Sequence, residues 1–220
     1  MTVVAPTGLD LPLSAAMREG SRREHQRAED SPFMSELAAG RVDATGYTAY
    51  LLRLRRVYAA LESTARGHAS DPLVAAVHDP ALERVAALDA DLEHWAPDGP
   101  RHVSSPAAEG YERRVLGSPA RPGRFVAHHY TRYLGDLSGG QVIGRVLRRE
   151  FRLDGRGTAF YDFPGVPKPK PYKDAYRARL DALDVGPADK QDIVEEVRLA
   201  FRLNQALFDE LALETAGRRR

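Results

Sequence analysis

Residues 133–145 read YLGDLSGGQVIGR, and Gly135, Gly139, Gly140 and Gly144 fall inside a run whose flanks keep a helical pattern. A glycine within a helix costs roughly 1 kcal/mol relative to alanine, so four together demand a reason. At 3.6 residues per turn, Gly135, Gly139 and a position near Gly144 lie close to one stripe, with Gly140 one step around. A stripe without side chains either lets another helix pack very close or lets a flat ligand lie against the backbone. The adjacent glycines at 139 and 140 also loosen the helix and invite a kink. Asp136 sits beside the stripe, a polar group that needs water or a partner if it is buried.

The pattern around this stretch is helical almost throughout. Helices are expected over residues 13–29, then from Ser31-Pro32 to a stop at Gly40, then over 43–66, where Tyr47, Leu51, Leu54, Tyr58, Leu61 and Ala65 repeat at three and four. Asp71-Pro72 and Asp79-Pro80 each open a helix, the second reaching Trp95, and Ser105-Pro106 opens another that ends near Gly117. The glycine-bearing element spans about 124–151. An irregular stretch over 153–171 follows, of a length that is usually functional or a spacer. Helices over 172–183 and 187–213 complete the chain. No strand-like alternation is convincing. The expectation is an all-α, single-domain fold of eight or nine helices over residues 12–213, with a flexible N-terminus at 1–11 and a flexible basic tail at 214–220.

Composition removes several function classes. Over 220 residues, 32 Lys+Arg balance 31 Asp+Glu, so no bulk positive charge favours nucleic acid. The absence of cysteine excludes disulfides, thiolate metal sites and cysteine nucleophiles together. No apolar run approaches the ~18 residues of a membrane span, and the N-terminus lacks a signal peptide pattern. A cytoplasmic protein is expected.

Arg18, His25 and Glu29 stand at offsets of seven and four, on one helical face. A carboxylate four residues beyond a histidine can fix the imidazole tautomer and leave the other ring nitrogen free for a metal. One histidine cannot hold a bare ion, but a macrocycle that brings four nitrogens of its own needs only one. The plainer reading is a surface His–Glu pair. His68, His78, His94 and His102 are expected in solvent, and His128 packed or hydrogen-bonded. Lys173 and Arg177, with Arg179 nearby, form either a row that binds paired carboxylates or a solvated basic face.

Three segments taken together are more specific. YTRYLGDLSGGQVIGR at 130–145 resembles the signature of the haem oxygenase family, EHQRAEDSPFM at 24–34 resembles its proximal segment, and AFRLNQALFDEL at 200–211 its last helix. The resemblance implies haem sandwiched between a proximal helix and a kinked distal helix. It gives His25 the role of axial iron ligand, with Glu29 as its partner. Gly135, Gly139 and Gly140 become the wall against the haem face, and Asp136 the holder of a distal water. Tyr58, Arg132 and Asn204 become members of the polar network around that water. Arg18, Tyr130, Lys173 and Arg177 hold the propionates, and Met34 and Phe201 form apolar walls. The implied reaction cleaves haem b, both substrate and cofactor, at the α-meso carbon with O2, giving biliverdin, CO and Fe2+ for iron acquisition or haem turnover. An external reductase or ferredoxin would supply electrons. The protein is expected as a monomer or weak dimer without the C-terminal membrane anchor of animal members. His129 stands where small residues are common in the family, which puts the local packing there in question. A non-catalytic haem carrier or sensor on the same fold is the alternative.

Overall fold

The computed structural model describes residues 11–218, all of whose regular elements are helical. The expected flexible start at 1–11 lies almost wholly outside them. Eleven α-helices follow one another: α1 Leu13–Gly20, α2 Arg22–Glu29, α3 Pro32–Ala38, α4 Ala44–Gly67, α5 Pro72–Val77, α6 Val85–Trp95, α7 Pro106–Leu116, α8 Pro122–Gly135, α9 Gln141–Glu150, α10 Pro169–Asp181 and α11 Pro187–Arg218. With α1–α2 and α8–α9 each taken as one interrupted rod, these are the nine expected.

The helix starts show how local chemistry divides the chain. Asp43 accepts the Gly46 N–H at 2.7 Å and Asp71 that of Leu73 at 2.9 Å, both true side-chain caps. Ser31 precedes Pro32 as expected, but its hydroxyl donates back to the Ala28 carbonyl instead of capping. Asp79-Pro80 opens only a 3-10 turn, Pro80–Leu82, and not a helix to Trp95. The α-helix restarts at Val85 because Glu62, on α4, accepts the free N–H groups of Arg84 (2.5 Å) and Val85 (2.8 Å). Gly40 ends α3's turn at φ +71°, a left-handed conformation open to glycine.

Helices α4 and α11 form the framework. Tyr47, Leu51, Leu54, Tyr58 and Leu61 of α4 are buried, and α11 packs along α8, α2, α1, α3 and α7. Helix α11 continues to Arg218, five residues past the expected boundary, so residues 214–218 are helix and not a loose tail. The cause is a tertiary pair: fully buried Arg53 bonds Glu210 at 2.7 Å and also Glu214.

The rod over 13–29 breaks at Ser21, whose hydroxyl donates to the Met17 carbonyl at 2.7 Å. Here α1 and α2 press on α11: a Cβ at Gly20 would lie 2.5 Å from Val194 Cγ1. Gly20 thus seats α2, and His25 with it, against α11.

A buried charge cluster ties α7, α8 and α11 together. His128 lies 2.9 Å from Glu196, which also takes two hydrogen bonds from Arg114. Burial alone would raise the Glu196 carboxyl, but the bonds from Arg114 and His128 hold it down at about 2. Because its folded pKa is depressed, its stabilisation is complete above the ordinary value of 4.5 and is lost as pH falls towards about 2. The shift corresponds to roughly 3 kcal/mol. Urea titrations between pH 6 and 3 should show Glu196→Gln with a flatter loss of stability on acidification than wild type. Parallel curves would assign the acid sensitivity elsewhere.

Candidate active site

The glycine-bearing rod is not one helix. Between α8 and α9 lies a single π-helical turn, Asp136–Gly140, which is the kink that the adjacent glycines invite. Ser138 donates to the Leu134 carbonyl at 2.7 Å, and Gln141 Nε2 to the Tyr161 carbonyl at 2.8 Å, bracing the widened turn.

The four glycines divide into two pairs. A Cβ built at Gly135 or Gly139 meets nothing within 4 Å. At Gly144 it would lie 2.8 Å from Tyr161 Cβ, and at Gly140 it would be 3.4 Å from the Tyr161 ring. The four glycines are therefore not equivalent. Gly144 permits close packing, while Gly135 and Gly139 are exposed and face open space. Gly140 is buried, and a Cβ there would be in ordinary contact with the Tyr161 ring.

Behind the open face sits the polar network. Tyr58 donates its hydroxyl hydrogen bond to Asp136 Oδ2. Arg132 Nε donates to the Tyr58 oxygen at 3.1 Å and its Nη1 to Asn204 Oδ1 at 2.7 Å, with Nη2 3.8 Å from Asp136 Oδ1. Tyr58 comes from α4, Arg132 from α8 and Asn204 from α11, so three helices meet at one carboxylate. All four residues are buried. Burial pushes the Asp136 carboxyl up, against the opposing pull of Arg132 and Tyr58. Burial would likewise lower the Arg132 guanidinium, but Tyr58 and Asp136 hold it charged.

On α2, His25 is half exposed, its Nδ1 3.5 Å from Glu29 Oε2, which leaves Nε2 for another partner. Phe201 of α11 meets the imidazole edge-on at 5.2 Å between ring centres. Met34 lies on α3, partly buried against the core. Helix α10 brings the basic row: Lys173 donates to Ser138 Oγ at 2.7 Å, bridging to the π-helical turn. Burial and the neighbouring Arg177 both lower the Lys173 ammonium. Burial raises the Tyr130 hydroxyl, against the opposing pull of the Arg177 and Arg18 charges. Arg18 is largely exposed and bonded to Glu19.

The histidines expected in solvent separate as well. His68 and His102 are exposed, but His94 packs edge-on against Trp95, and His78 is mostly covered. The apolar sequence surrounding each carried no signal of those contacts.

Two residues escaped the sequence reading. Tyr161 fills the space over Gly140 and Gly144, and Asp91 places it by accepting the N–H groups of Ala159 and Phe160 at 2.7 and 2.8 Å. Burial pushes Asp91 up to about 6. Its only sequence signal is an acid within an apolar stretch of α6; the partner lies 68 positions away.

The all-helical fold thus presents a half-exposed imidazole on α2, open backbone at Gly135 and Gly139 next to a buried carboxylate, and the cations Lys173 and Arg177 on α10. The "Heme oxygenase" family model matches residues 11–210. The chain is 37% identical to human heme oxygenase 1 over 215 residues, covering 94% of this chain and 74% of that one. It is 35% identical to heme oxygenase 1 of a Nostoc cyanobacterium, covering 90% and 85%. The crystal structure of heme oxygenase-1 from the cyanobacterium Synechocystis, in complex with heme, superposes with a TM-score of 0.88 at 32% identity, covering 94% of this chain and 96% of that one. The chain belongs to the heme oxygenase family and is an enzyme of that family. Among the described residues, no helix is long and apolar enough to cross a membrane.

Proposed function

We propose that this chain binds haem b between α2 and the π-helical turn and opens it to biliverdin, CO and Fe2+ with O2 and electrons from an external reductase or ferredoxin. The observation that carries the reading is the open face at Gly135 and Gly139, in front of the buried Tyr58–Asp136–Arg132–Asn204 network. The residues fit the ligand. Among the described residues no group of three or more His, Cys, Asp and Glu can hold a metal ion, so a single imidazole suits a metal that brings its other ligands. Haem, when bound, supplies the iron and the meso carbon at which O2 chemistry takes place.

The protein's own part is position and proton supply. His25 Nε2 would hold the haem iron, its ring oriented through Nδ1 by Glu29. Arg18, Lys173 and Arg177, with the Tyr130 hydroxyl, would hold the two propionates, and their seating would set the preference for α cleavage. Asp136, with Tyr58 on its Oδ2, would hold a proton-donating water with its remaining acceptor sites. Arg132, fixed by Asn204, keeps Tyr58 and Asp136 in register. With no strong acid aimed into the slot, proton delivery is indirect. A carrier would need the imidazole but not this relay.

The test is turnover. Hemin-loaded protein with a reductant and O2 should lose its Soret band and yield α-biliverdin and CO, and an unchanged spectrum would favour the carrier. His25→Ala should lose the axial-ligand signature and at least tenfold in hemin affinity, and a wild-type spectrum would remove His25 from its role.

A further inference from the structure

His129 and Tyr176 have no part in the functions described so far, yet they form a built contact. His129 Nδ1 lies 2.9 Å from the Tyr176 hydroxyl, the rings are within 13° of parallel at 5.8 Å between centres, and both side chains are buried. The imidazole also packs on Tyr133, at 4.3 Å between centres, and on Phe125, so α8 holds it on two sides.

Helix α10 packs on α1, α5 and the π-helical turn. Other bonds hold its length: Tyr172 to Asp79 at 2.6 Å, Lys173 to Ser138 at 2.7 Å, Arg179 to the Ala76 carbonyl at 2.8 Å, and Asp181, which accepts from the Ser14 N–H and hydroxyl at 2.7 and 2.9 Å. Tyr176 is the residue that bonds inward to α8, and it sits between Lys173 and Arg177 in the chain. At 100° per residue, any roll of α10 about its axis carries both cations sideways. A small side chain at 129 would leave the Tyr176 hydroxyl buried without its partner and remove the bond that ties the middle of α10 to α8.

We propose that His129 is a positioning residue: by bonding Tyr176 it sets the rotation of α10 on α8, and through it the seat that Lys173 and Arg177 offer the two carboxylates of the substrate. This rests on the reading of those cations as the propionate seat. Burial, with His78 and Arg179 adding positive charge nearby, holds the imidazole neutral, down at about 3. The contact is therefore constant across the working pH range.

The experiment compares dissociation constants for hemin and hemin dimethyl ester, whose carboxylates are masked, alongside the biliverdin isomers formed on turnover. Wild type should prefer hemin. Tyr176→Phe, which deletes one oxygen, and His129→Leu should each cut that preference by roughly fivefold, about the worth of one hydrogen bond. Both should also release isomers other than α, and the double variant should go no further than either single. His129→Gln, which keeps an acceptor, should restore the preference. A wild type without preference overturns the propionate reading and this proposal together. A wild-type preference kept intact in Tyr176→Phe and His129→Leu, with α-biliverdin alone, overturns only the positioning role. Loss of stability without a change in preference or isomer does the same.

Discussion

Asp136→Asn should retain hemin and lose at least a hundredfold in biliverdin formation. The variant keeps an amide oxygen for the Tyr58 hydroxyl and the hydrogen bonds of Arg132 to Tyr58 and Asn204. What it loses is a carboxylate able to take up and release a proton, and removing a positioned acid–base group costs 10²–10⁴ in rate. Asp136→Ala goes further, because it leaves the buried Tyr58 hydroxyl without its acceptor and the buried Arg132 guanidinium without its counter-charge. Its fold should be about 1–3 kcal/mol less stable. Binding is checked first by Soret titration, then biliverdin is quantified from a single turnover of the loaded protein. A wild-type yield from either variant would take the proton relay away from Asp136.

Gly139→Leu and Gly144→Ala should fail in opposite ways. At Gly139 a Cβ meets nothing within 4 Å, so the ligand-free protein accommodates the new side chain. Replacing a helical glycine can even add up to about 1 kcal/mol of stability. The leucine then fills the face on which haem is to lie, and hemin affinity should fall by at least a hundredfold, the equivalent of about 2.7 kcal/mol. Gly144→Ala places its methyl 2.8 Å from Tyr161 Cβ. Such overpacking costs about 1–3 kcal/mol, and each kcal/mol lowers Tm by roughly 2–4 °C at this size. Hemin should still bind. Thermal melts of the ligand-free proteins beside hemin titrations separate the two effects. Wild-type affinity in Gly139→Leu would mean that the open face is not the slot.

Most helices could be read from the chain because their signals are local. Asp43 and Asp71 cap what they precede, and the apolar period of α4 reports its own buried face. Errors came where a distant residue intervened. Glu62 restarts the chain at Val85, and Arg53 extends α11 past its expected end. In the site, Asp136 was marked by its place beside the glycine stripe, but Arg132, Tyr58 and Asn204 took their roles from resemblance alone, since members 78 and 72 positions apart have no common period. Tyr161 and Asp91 carried no mark, because a buried tyrosine and an acid on an apolar helix have many possible uses.

The sequence by itself determined an all-helical chain, a glycine-rich break beside an aspartate, and a histidine with its glutamate partner, because each depends on residues within a few turns. Only the tertiary structure decided which glycines are packed and which are bare. That depends on Tyr161, held by Asp91 from another helix, covering Gly140 and Gly144 and leaving Gly135 and Gly139 open. A missing side chain has the same spelling in both cases. What differs is the neighbour, and only the fold supplies it.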